Sequence, residues 1–229
     1  MTRTVTEVVD ALIPQKDWIA IAKKHAKKHG NTPEYWTDKW SNKRNKSKEV
    51  GTILHSEVEQ DIKTKGFEYE GSKLSVKFFE KTGGFPSGKL EDNTSYPEFS
   101  VCDKDSNVCG RIDNVFVKNK KIYITDSKTD ETIDKKAFSN EWVKAEKLLQ
   151  PCSHLDNCSY NIYSLKMSLY MYLIWKQNPQ YRIGDIILNH VILQRDEDGI
   201  PTLQDGKPIV LEIKPIKLPY RKNDIKKLL

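Results

Sequence analysis

Apolar residues recur at helical spacing in three stretches of the chain and collect into short β-rich segments elsewhere. Trp18, Ile19, Ile21, Ala22 and Ala26 follow Asp17, a residue suited to capping, and stop at the breaker pair Gly30-Asn31. A second helix is predicted over residues 51–63, where Ile53, Leu54, Val58 and Ile62 are apolar and Gly66 ends the run. The strongest helix covers residues 160–177 and stops at Asn178-Pro179, because a residue before proline is pushed out of helical geometry. Strand candidates lie at 74–79, 96–101, 110–117, 121–126, 186–194 and 209–216. Turn residues, DKDSN and then KNK, separate the second, third and fourth of these, the spacing of an antiparallel meander. Residues 82–88 read as a Gly/Pro loop, and 131–156 as helix and loop. Helices, strands, a helix and strands again predict a single α/β or α+β domain.

Composition narrows this picture. At 229 residues the chain fits one domain with decoration. No apolar run reaches the length of a membrane span, and the acidic, discontinuous N-terminus does not read as a signal peptide. Cys102, Cys109, Cys152 and Cys158 are spaced more widely than the usual zinc-binding pairs, which leaves free thiols in a reducing compartment as the expectation. No phosphate-binding GxxxxGK[ST] loop occurs; residues 82–89 come near but contain proline and end in Lys-Leu.

Charge adds a partner. The 38 Lys and Arg exceed the 32 Asp and Glu, giving a net charge of +6. The excess gathers near the N-terminus, where Lys43, Arg44, Lys46 and Lys48 alternate with Trp36 and Trp40. Cations that neutralise phosphates and rings that stack on bases make a DNA-binding surface. The same residues also read as a solvated basic face with two tryptophans anchored in the core.

The chemistry concentrates between Gly110 and Thr129, GRIDNVFVKNKKIYITDSKT. Asp113 opens one predicted strand, and Asp126-Ser127-Lys128 closes the next. Side chains two apart on a strand share a face, so Asp126 and Lys128 project together, and hairpin pairing brings Asp113 beside them. Two carboxylates form a site for a hard cation, Mg2+ or Mn2+, and the ammonium positions a water for attack.

Gly110-Arg111-Ile112-Asp113 followed by Asp126-Ser127-Lys128-Thr129 resembles the core of the PD-(D/E)XK nuclease superfamily. Its RecB-like branch, which includes phage exonucleases and the mitochondrial genome maintenance exonuclease, is similar in two further pieces. Gly51-Thr52-Ile53-Leu54-His55 with Glu59 resembles that branch's first helix motif, and the segment Tyr163 to Tyr170 resembles its Gln-x-x-x-Tyr helix, with Lys166 in place of Gln. The resemblance spans about residues 50 to 175.

It implies a restriction-endonuclease-like core, a central mixed β-sheet flanked by helices, with 1–50 as a basic helical extension and 51–229 as the nuclease core. It further implies that Asp113, Asp126, the Ser127 carbonyl and His55 ligate the metal while Lys128 orients water. Glu98, Glu59, Lys166 and Tyr170 are implied nearby. The expected activity is hydrolysis of DNA, favouring an exonuclease on single strands or duplex ends; the alternatives are an inactive nucleic-acid-binding module and an RNA-cleaving relative. A helicase or other replication or recombination partner, and the cytoplasm, including that of an infected host cell, belong to the same expectation.

Overall fold

The computed structural model describes residues 2–78, 89–141 and 143–229. The 82–88 loop and most of the near-phosphate-loop stretch therefore lie outside the described residues.

The first helix belongs to the core. Strand β1 (Arg3–Thr4) runs parallel to β5 and leads into helix α1 (Val5–Asp10). Thr4 and Glu7 cap α1 reciprocally: the Glu7 N–H donates to the Thr4 hydroxyl at 3.0 Å, and the Thr4 N–H to Glu7 Oε2 at 2.6 Å. Val5, Val8, Val9 and Leu12 are buried in the main hydrophobic cluster.

Helix α2 (Trp18–His29) is capped by Asp17, which accepts from the Ala20 N–H at 2.9 Å, and ends at Gly30 with φ 76°. Both boundaries match expectation. Helix α3 (Pro33–Lys65) differs from it. Thr32 caps it, Pro33 occupies its first turn, and nothing interrupts it for 33 residues, about 50 Å of rise. The boundary between residues 50 and 51 therefore falls within one helix. The helix expected over 51–63 is the later part of this longer one, and α1 packs into the main core.

The sheet is mixed. The hairpin β2 (Phe67–Tyr69) and β3 (Ser72–Val76) leads to an antiparallel meander of β4 (Thr94–Asp103), β5 (Val108–Lys118) and β6 (Lys121–Lys128). Helix α4 (Ser159–Gln177) then crosses over to β7 (Arg182–Leu193), which pairs parallel to β6. A small hairpin, β8 (Leu203–Gln204) and β9 (Lys207–Pro208), precedes β10 (Val210–Leu218), antiparallel to β7, and α5 (Lys222–Leu228) closes the chain. The strand order is β10-β7-β6-β5-β4-β3-β2, with β1 beside β5. Helices flank this sheet, so the fold is mixed α/β.

Helix α4 is buried on most of its circumference because it lies on β4, β6 and β7 with α1 and α5 packed along it. That packing explains why its apolar residues form a nearly continuous run. No helix among the described residues is long and apolar enough to cross a membrane.

Two expectations need correcting. Residues 131–156 contain no helix among the described residues; an isolated bridge between Lys147 and Asp156 ties the segment down instead. Two of the four cysteines are not free thiols. Cys102 and Cys109 face each other across β4 and β5 and form a disulfide, while Cys152 and Cys158 are free and buried. Hairpin pairing brought together a Cys-x6-Cys spacing that looks open in the linear chain.

Candidate active site

Six elements, α1 among them through Thr6, converge on one cavity of about 400 Å³ beside β5 and the end of β6. Its walls hold His55 and Glu59 from α3, Glu98 from β4, Arg111 and Asp113 from β5, Asp126 and Lys128 from β6, and Tyr163, Lys166 and Tyr170 from α4. The spacing of each set follows from its element. His55 and Glu59 are one helical turn apart; Tyr163, Lys166 and Tyr170 lie at i, i+3 and i+7; and both strand pairs are two apart.

Asp113 anchors the centre. It accepts from the Ser127 N–H through Oδ2 at 2.7 Å, and its Oδ1 lies 3.1 Å from His55 Nδ1. Burial pushes its pKa up, but His55, the Lys128 charge and the Ser127 N–H outweigh burial and hold it below the usual carboxylate range. The hydrogen bond to Asp113 in turn raises His55, against the opposing effect of burial.

Asp126 and Lys128 form a direct ion pair, and Lys128 Nζ also donates to the Ser127 carbonyl at 3.2 Å. Burial dominates Asp126 and raises its pKa to about 6 despite the pull of Lys128; the nearby Asp113 charge acts in the same upward direction. Lys128 is also buried, which lowers its pKa, yet Asp126 and Asp113 together hold it above its ordinary value. Its ammonium lies over the Tyr163 ring, 5.7 Å from the centroid, and the Tyr163 hydroxyl donates to Asp130 at 2.6 Å.

Glu98 sits opposite Asp113 with φ 52°, a left-handed backbone rarely adopted by a side-chain-bearing residue. Burial raises its pKa, and Arg111 counters. Single ligand atoms of His55, Glu98 and Asp113 lie within 4.8 Å of one another, which fits a divalent cation by geometry and by donor type. Glu98 thus stands in this group of possible ligand atoms, while Asp126 is not one of the three and pairs with Lys128. The Ser127 carbonyl is occupied by the Lys128 ammonium.

Gly110 is required by close approach. A Cβ there would lie 2.6 Å from Cε1 of Tyr170 and 2.8 Å from its hydroxyl, so the ring rests directly on the strand backbone. Burial pushes the Tyr170 hydroxyl up to about 12. Lys166 pairs with Asp10 of α1 at 2.8 Å.

The basic helical residues lie elsewhere. Trp36 and Trp40 pack with His25, and Trp40 meets Trp18 edge-on at 6.1 Å between centroids. Lys43 reaches Glu131 at 3.1 Å and Lys46 reaches Glu49 at 3.2 Å, while Arg44 and Lys48 are exposed on α3. None of these six residues lines the cavity. His154, just before α4, lies 3.3 Å from Asp224.

Sequence reasoning missed four contributors: Arg111, Tyr163, Thr6 and Asp10. Arg111 shares a strand face with Asp113, and Tyr163 shares a helical face with Lys166, so both had a local signal. Thr6 and Asp10 had none, because only the β1–β5 pairing brings α1 to the cavity.

The fold and cavity together define a mixed α/β protein with a carboxylate-, histidine- and lysine-lined pocket. No protein-family model matches the chain, and no curated protein is detectably similar to it.

Proposed function

We propose that the chain is a divalent-metal-dependent nuclease of PD-(D/E)XK type, related to the RecB-like branch, that hydrolyses phosphodiester bonds in DNA. The observation that carries this reading is the convergence of Asp113, Asp126 and Lys128 from adjoining strands with His55 and Glu98 around one cavity. His55, Glu98 and Asp113 would hold Mg2+ or Mn2+, with Asp126 alongside. A cation there supplies Lewis acidity and makes bound water more acidic.

The chain's own groups do the rest. Lys128, fixed by Asp126 and the Ser127 carbonyl, places an ammonium where an attacking water and the developing phosphate charge would lie. Ser127 and His55 orient the Asp113 carboxylate. In the reaction, water adds to phosphorus, the bond from phosphorus to one ester oxygen breaks, and that oxygen leaves with a proton. DNA as substrate draws on the net positive charge and the exposed cations of α3.

The test uses end-labelled single-stranded DNA, duplex DNA and RNA with Mg2+ or Mn2+. Cleavage by the wild type, lost in Asp126→Ala and Lys128→Ala while binding survives, is the expected result. Binding without cleavage of any substrate at either metal overturns the proposal in favour of a binding module. Cleavage of RNA alone reassigns the substrate.

A further inference from the structure

The cavity holds four basic side chains, and three of them are already committed to carboxylates. Lys128 is paired with Asp126, Lys166 with Asp10 at 2.8 Å, and His55 with Asp113 at 3.1 Å. Arg111 differs. Its Nε contacts Glu98 Oε2 at 2.9 Å, and among the described residues no side chain other than Glu98 forms an ion pair with its guanidinium. Its side chain is 59% exposed, whereas Glu98 beneath it is only 22% exposed. The guanidinium is therefore fastened at one corner and open along its outer edge.

Position gives that edge a purpose. Arg111 stands two residues before Asp113 on β5, so both side chains leave the strand on the same face and line the same cavity. The carboxylates of Glu59, Glu98, Asp113 and Asp126 share this wall and would repel an incoming phosphodiester. A planar guanidinium presents paired N–H groups at the separation of two phosphate oxygens, which a lysine does not do. The strand backbone beneath it is packed, since the Tyr170 ring rests against the adjacent Gly110.

We infer that Arg111 binds the non-bridging oxygens of a phosphate in this cavity, with Glu98 holding its guanidinium at the mouth. On the proposed hydrolase reading, which this inference deepens, that phosphate is the one whose ester bond is cut. Arg111 is then a substrate-binding residue, and Glu98 has a positioning role toward it in addition to its place among the metal donors.

The experiment separates the inference from that reading by using a probe that is not hydrolysed. Thymidine 3′,5′-bisphosphate is titrated calorimetrically into the full chain without metal and again with Ca2+, for wild type, Arg111→Ala and Arg111→Lys. Arg111→Ala is expected to weaken binding at least tenfold under both conditions. Arg111→Lys should recover only part of the loss, and added guanidinium ion should partly restore Arg111→Ala. Where cleavage is measurable, kcat/KM should fall about 100-fold in Arg111→Ala, the scale of losing one charge-stabilising donor.

Binding by Arg111→Ala within twofold of wild type overturns the inference even if cleavage falls, because Arg111 would then act only by placing Glu98. Equal losses of metal affinity in Arg111→Ala and Glu98→Gln, with metal-free bisphosphate binding intact, overturn it as well. A wild type that binds the bisphosphate through Arg111 but cleaves nothing supports the inference and overturns the nuclease reading. Arg111→Lys keeps the charge and the strand position, so a folding failure in the alanine variant leaves the test in place.

Discussion

The cavity at β5 and β6 and the helical tip formed by α2 and the first half of α3 are both rich in charges and rings, yet they organise them oppositely. In the cavity, carboxylates meet cations within β6 and across α3–β5 and α1–α4, and burial shifts their protonation. At the tip, the rings of Trp18, His25, Trp36 and Trp40 pack on one another, and Lys23, Lys24, Lys27, Lys28, Arg44 and Lys48 point to solvent. A charge withdrawn from water and held by a partner becomes a specific reagent. A charge left in water contributes a screened field that its neighbours can replace.

That contrast breaks most visibly through Asp126→Ala and Lys128→Ala. Each is expected to lower single-turnover cleavage by about 10²–10⁴-fold, the range for losing a positioned proton-transfer or charge-stabilising group. DNA affinity should change far less. A Lys128→Ala variant that cleaves at the wild-type rate would place the chemistry elsewhere.

Gly110→Ala is next. Its Cβ would enter the Tyr170 ring, and overpacking of this kind costs roughly 1–3 kcal/mol. Urea denaturation should show a lowered midpoint with an unchanged slope. Gly66, whose added Cβ would meet nothing within 4 Å, would lose stability only through its left-handed φ of 82°.

The proton on Asp126 sharpens the comparison further. Its folded pKa of about 6 stands above the ordinary 3.8. In metal-free protein this group's stabilising contribution is complete below the ordinary value and is lost as pH rises through about 6. A divalent cation favours the ionised carboxylate, so apparent Mn2+ affinity should fall as pH drops below 6, with Asp126 adding at most about tenfold per unit to the fall that protonation of His55 causes. Asp126→Asn should flatten that slope.

The sequence carried more of the cavity than of its surroundings because its chemistry is written in short spacings. Asp113, Asp126 and Lys128 lie on two consecutive strands, and period two with a short hairpin aligns them. His55 with Glu59 and Lys166 with Tyr170 are aligned by one helical turn. Asp10 reaches Lys166 only after β1 finds β5, and Cys102 meets Cys109 only after the β4–β5 register is set. Those contacts depend on tertiary pairing, which local periodicity does not encode. The helix start expected at residue 51 failed for the opposite reason: Gly51 reads locally as a helix start, while the flanking residues of α3 carry the helix through it.

The smallest effects belong to the tip, and they show whether its charges act as a field. Single alanine substitutions of Arg44, Lys46 or Lys48 should each change DNA affinity by less than about threefold at physiological salt, since a neighbouring exposed cation substitutes for the one removed. Replacing Lys43, Arg44, Lys46 and Lys48 together removes that compensation. The slope of log affinity against log salt should then shrink by about 0.7 for each lost contact with a single strand, or about 0.9 with duplex DNA. The cleavage rate at saturating DNA should stay at the wild-type value, because none of the four lines the cavity. Unchanged salt dependence in the quadruple variant would remove the tip from the binding surface and leave its tryptophans with a packing role only. A single variant that abolished binding would instead make that residue a specific contact, and the distinction between buried reagent and exposed field would no longer divide the molecule along this line.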